Sequence, residues 1–151
     1  MNFLSGHLMA LVLALVSGVL MAVQGSLNSA LSKVIGLLET TFFVHLSGTI
    51  ILVVLLFVFK MGKGNLMVMS QAPWYSYFGG AVGVFIIYLV AASIPSVGVA
   101  NATTAIIVGQ VLTAIIIDHF GSFGLNRIHF GWEQLLGLIF LAAGAKLLLK
   151  C

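Results

Sequence analysis

LSGHLMALVLALVSGVLMAVQGSL, residues 4–27, runs from end to end without a lysine, arginine, aspartate or glutamate. A helix of that length is about 36 Å long, enough to cross a hydrocarbon core of about 30 Å. Four more apolar stretches follow, at residues 41–59, 74–92, 97–117 and 132–149, and none shows the two-residue alternation of a barrel strand. A backbone in lipid must satisfy its own hydrogen bonds, so each stretch reads as a helix. The expectation is an all-α membrane protein, a single domain over residues 1–151 with five transmembrane helices. Composition agrees: 62% of residues are hydrophobic, 6% are charged and the mean hydropathy is +1.25, whereas soluble domains are about a quarter charged.

The connections carry the expected punctuation. Residues 33–39 follow the first span, Lys60 to Asn65 the second, Ser93 to Ser96 the third, and the Gly, Asn and His-rich stretch 118–130 the fourth. The link at Pro95 is the tightest and predicts an antiparallel hairpin of helices 3 and 4. Met1 to Gly6 lacks Lys and Arg, and the apolar run after it exceeds the h-region of a signal peptide, so the first span is expected to stay in the protein. Trp74 and Trp132 open helices, where an aromatic belt belongs. The isoelectric point near 9.3 rests on a net charge of +3 with no basic cluster, which speaks against nucleic acid as a partner.

Threading five spans through a bilayer puts Lys60, Lys63 and Arg127 on the side of the N-terminus and Lys33, Lys146 and Lys150 on the other. Lys and Arg near the spans normally set orientation, so a balance of three against three predicts insertion both ways up, or a partner that supplies the asymmetry. Two opposed copies related by an axis in the membrane plane have the symmetry of many transporters. Small residues suit such packing: Gly79 and Gly83 form a GxxxG pair, Gly137 and Gly144 share a face of helix 5, and Gly18, Ala22 and Ser29 keep helix 1 slim. Each serves equally well inside one subunit.

Polar side chains at membrane depth need a reason. Ser17, Gln24 and Asn28 recur at seven and four residues on one face of helix 1, beside Gly25, and form the leading site candidate. Helix 4 offers Asn101 with Thr104 on one face and Thr103, Gln110 and Thr113 on another, and helix 2 adds Thr41, His45, Gly48 and Thr49. Amides and hydroxyls in lipid also serve as interhelical glue worth about 1 kcal/mol. Asp118 closes helix 4 and Glu133 opens helix 5, so no acid lies in mid-span. Export driven through a buried carboxylate is therefore disfavoured. His45, His119 and His129 read as interfacial imidazoles, and Asp118 and Arg127 as ties within the connection from helix 4 to helix 5. An ion pair of Glu133 with a partner's Lys146 is not expected, because the two lie about 140° apart around the helix.

Nothing indicates an enzyme, a cofactor or a metal: HExxH, GxSxG, the P-loop and paired Cys/His spacing are missing. The one cysteine, Cys151, is the last residue and forms no intrachain disulfide.

Ala22 to Leu31 (AVQGSLNSAL), Trp74 with Gly79, Gly80 and Gly83, the run from Pro95 to Asn101, Gln110, Asp118 with Gly121, and Arg127 with Gly131 together resemble the five-helix YdcZ-type family of the drug/metabolite transporter superfamily. The resemblance covers nearly the whole chain. It implies half of a ten-helix inverted-repeat transporter in the bacterial inner membrane, as a dual-topology chain or an oppositely oriented pair. Helix 1 lacks the membrane-embedded glutamate of the small multidrug-resistance relatives, so proton-coupled export of cationic drugs is not implied. The resulting expectation is an antiparallel homodimer in lipid, or a pair with an opposed homologue, moving a small solute, amphipathic ones included, by alternating access. Gln24 and Asn28 with Asn101 and Gln110 would bind solute or gate its cavity. The alternatives are a passive conduit, which needs a continuous polar lining, and a non-transporting scaffold whose amides are glue.

Overall fold

The computed structural model describes residues 3–149, with side chains from Gly6 onward. Those residues are helical with no strand. The α-helices are α1 (Phe3–Ile35), α2 (Leu37–Val53, continued by a π-helical turn Val54–Val58), α3 (Phe78–Val97), α4 (Val99–Phe120) and α5 (Trp132–Leu148). Four stretches are long and apolar enough to cross a membrane: Gly6–Ile35, Leu37–Val58, Trp74–Val97 and Val99–Phe120. α5 has 17 residues and is about 26 Å long.

Several boundaries differ from those read in the sequence. The first helix does not stop near Leu27. It continues through Lys33, because the polar residues that end the apolar run are accommodated within the helix: Asn28 and Ser29 are buried and Ser32 Oγ donates to Ser29 O (2.9 Å). The predicted connection at 33–39 shrinks to Gly36, so α2 starts one turn earlier than Thr41. Likewise α3 does not end at Ala92. It carries Pro95 inside its last turn, and the break falls at Gly98.

Both breaks have one cause. Gly36 sits at φ 98°, ψ 161° and Gly98 at φ 83°, ψ 162°, a region that is essentially closed to residues with a Cβ. Helix 4 runs on to Phe120 and ends at left-handed Gly121 (φ 62°, ψ 36°), the usual glycine stop. Trp74 does not open α3 itself. Trp74–Tyr77 forms a 3-10 turn after Pro73, a second such turn covers Leu66–Gln71, and the Tyr77 hydroxyl donates to Met69 O to tie the two.

The chain divides into two compact units, between Ser96 and Val97. In the first, α1 packs along α2, and Gly25 of α1 meets Val90 and Ile94 of α3. A Cβ on Gly25 would lie 2.9 Å from Val90 Cγ1 and 3.2 Å from Ile94 Cδ1. In the second, α4 packs on α5. The buried side chains are small or polar: Ala91, Ala102 and Ala145 with Asn28, Ser29, Thr40 and Thr41. This inverts a soluble core, because lipid is as apolar as leucine and helices associate instead through close contact and hydrogen bonds.

Candidate functional site

The first unit gathers its polar side chains at the α1–α2 junction. Gly36 lets the chain reverse over one residue, which brings Asn28 and Ser29, a turn or two before it, to the same end as Thr40 and Thr41 just after it. All four are buried, Thr40 completely. Among the described residues the Thr40 hydroxyl oxygen has no hydrogen-bond partner, an expensive condition for a buried polar atom.

From that junction a polar ladder climbs one face of α2. Thr41 Oγ1 donates to Leu37 O (2.8 Å), His45 Nδ1 donates to Thr41 O (2.9 Å), and Thr49 Oγ1 donates to His45 O (2.8 Å). Positions four apart lie above one another on a helix, which is why each side chain reaches the carbonyl one turn back. A carbonyl only accepts, so His45 carries a hydrogen on Nδ1 and turns Nε2 outward. Nε2 lies 3.6 Å from where a Cβ on Gly83 would stand. In α2, which starts at Leu37, His45 lies eight residues in, about 12 Å along the helix axis.

The helix 1 stripe separates by depth. Asn28 is buried, whereas Gln24 and Ser17 are exposed, and Ser17 Oγ bonds its own helix at Ala14 O (3.0 Å). In the second unit Asn101 is half-buried, Gln110 is exposed, and Thr104 Oγ1 donates to Ala100 O (2.9 Å). Thr104 and Gly144 come together in a groove of about 220 Å³ between α4 and α5, otherwise lined by Ile107, Phe140, Leu141, Ala145 and Leu148. Gly79, Gly137 and Gly144 have open space where a Cβ would stand, while Gly83 faces His45.

The α4–α5 connection is a knot of local bonds. Ile128 N–H donates to Asp118 O (2.8 Å) and Arg127 Nε to His119 O (2.8 Å), while His119 Nδ1 accepts from Phe130 N–H (3.4 Å). Arg127 thus places its charge on the carbonyl end of α4, where the helix dipole favours a cation. At the start of α5 the Gln134 side chain accepts from Gly131 N–H, and Glu133 lies in the first turn. Sequence reasoning missed Thr40 and read Ser29 only as a small packing residue. The signal was the lone glycine between Ser32-Lys33 and Glu39-Thr40, which read as part of a loop.

Four helices long and apolar enough to cross a membrane, with few buried side chains and those small or polar, define a multi-pass membrane protein. Residues 9–147 match the family model described as "Putative inner membrane exporter, YdcZ". The chain belongs to this family of the drug/metabolite transporter type, and is a multi-pass inner membrane protein of a transporter family rather than of an enzyme family. No curated protein and no solved structure matches it.

Proposed function

We propose that two oppositely inserted copies of this chain, each with α5 as a fifth span, form an antiparallel homodimer. The pair moves a small solute, amphipathic ones included, across the inner membrane by alternating access. The observation that carries the reading is the exposure of the Gln24 and Gln110 amides in helices whose most apolar stretches are at most 6% buried. An amide facing hydrocarbon without a partner costs several kcal/mol. A second copy, or a water-filled cavity between two copies, satisfies both amides, and the open faces at Gly79, Gly137 and Gly144 leave room for close approach. The balance of three cations against three supports opposed orientations. Trp132 and Lys146 near the two ends of α5 suit a short span anchored at both interfaces. Gln24 and Asn28, with Asn101, Thr104 and Gln110, are the side chains assigned to solute.

Reconstituted protein tests the transport. A solute found by thermal-shift screening should enter vesicles saturably, and Gln24→Ala and Asn28→Ala should each lower the rate about tenfold, the loss of one good hydrogen bond. Non-saturable flux would mean a conduit, and no flux with intact folding a scaffold. Orientation is read from single cysteines placed at Ser5 and Gly64 after Cys151 is replaced. Each should react from both sides of the membrane, and strictly one-sided labelling overturns dual topology.

A further inference from the structure

We infer that His45 is the proton-binding group of this transporter, taking up a proton on Nε2 at membrane depth and releasing it again. The inference rests on the transporter reading above. Among the described residues, the other histidines, carboxylates and amines of the helices lie within four residues of a helix end: His7, Lys33, Glu39, Asp118, His119, Glu133 and Lys146. His45 alone lies more than two turns inside, and an ionisable side chain at such depth marks a functional path. Imidazole is also the side chain whose ordinary titration falls between pH 5 and 8.

The geometry suits reversible proton binding. Nδ1–H is committed to Thr41 O, so the ring is held while the second nitrogen keeps its lone pair. Nε2 has no hydrogen-bond partner among the described residues. It faces the notch left by Gly83, so a water or a solute hydroxyl has room to reach it. A proton arriving there forms an N–H bond and leaves an imidazolium whose other N–H is already paired. Loss of that proton to the opposite side restores the starting state.

The surroundings bring little competing charge. α1 has no titratable side chain between His7 and Lys33, α3 carries Tyr88 alone, and Glu39 lies on α2 itself, six residues nearer the junction. α4 and α5 carry theirs toward their ends, at Asp118, His119, Glu133 and Lys146.

The test uses hydrogen ions as the probe. Full-length protein in lipid bilayers, labelled with ¹⁵N-histidine, is titrated from pH 8.5 to pH 4.5. Nδ1 of His45 should stay protonated throughout while Nε2 converts from bare to protonated. His45→Asn keeps a donor toward Thr41 O but has no titrating nitrogen, so it should take up one proton fewer per chain over the same range. Filling the notch with Gly83→Val should suppress the conversion. An Nε2 that stays bare down to pH 4.5, or equal proton uptake by wild type and a folded His45→Asn, overturns the assignment. The wild-type ring signal needs no variant, so misfolding of one does not blunt the test. A silent His45 in protein that still moves solute refutes this inference alone, whereas absence of solute flux refutes the transporter reading.

Discussion

Gly36 and Gly98 each end one helix and begin the next with nearly the same backbone, φ 98° and ψ 161° against φ 83° and ψ 162°, yet the two junctions are surrounded differently. Around Gly36, Asn28, Ser29, Thr40 and Thr41 are all buried, and the glycine lies close to the Glu39 carboxylate. Gly98 is exposed with open space where a Cβ would point, and the first buried side chain after it is Ala102. The same covalent device therefore makes a packed polar corner at one place and a bare joint at the other. Conformation at a junction follows from the glycine, whereas its energetic weight follows from what packs around it.

Alanine at both glycines separates the two contributions. Each substitution carries a backbone penalty of roughly 1–3 kcal/mol. Gly36→Ala must also displace Glu39 and disturb four buried polar residues, so it should cost more than Gly98→Ala when unfolding is measured in detergent micelles. Equal losses would mean that the polar corner adds nothing to the junction.

A second pair of glycines sharpens the contrast inside the helices. Gly25→Ala drives a methyl to 2.9 Å from Val90 Cγ1 and should cost about 1 kcal/mol as overpacking. Gly109→Ala meets nothing within 4 Å and should stabilise by roughly 0.5 kcal/mol, because alanine restricts the unfolded chain more than glycine does. A loss at Gly109 in the assembled pair but not in the monomer would place that face against the second copy.

The smallest effect belongs to Thr40. Replacing its unpartnered hydroxyl with a methyl in Thr40→Val keeps the shape and should leave stability nearly unchanged. Thr41→Val, which loses the bond to Leu37 O, should lower it. A clear loss at Thr40 would show that the hydroxyl holds a partner such as water in the membrane.

How far these features can be read from the sequence varies by element. The start of the fifth helix at Trp132 was visible, since Gly131 and a tryptophan precede an uninterrupted apolar run. The first helix was cut short at Leu27 because hydropathy marks where a chain leaves lipid, and a helix can outlast that point when its polar residues are buried or bonded to their own turn. Pro95 misled in the opposite direction. A proline near the end of a helix was read as the break, although the backbone waited three residues for a glycine able to take φ 83°. The stripe of Ser17, Gln24 and Asn28 was legible as a face, but spacing cannot tell that Asn28 is enclosed while Gln24 is open. His45 was readable only as a histidine near the start of a span, because its depth depends on where that helix begins.

The sequence by itself determined that this chain lives in a membrane, that it is helical, and which family it belongs to. Those conclusions rest on the lengths of apolar runs and the order of residues along them, which no folding step alters. Only the tertiary structure decided that the interior is made of alanine, serine, threonine and asparagine, and that His45 stands a turn deeper with Nε2 toward Gly83. Burial and orientation come from which helices meet and how closely their backbones approach. That approach is set by three-dimensional contacts such as Gly25 against Val90, between residues far apart in the chain.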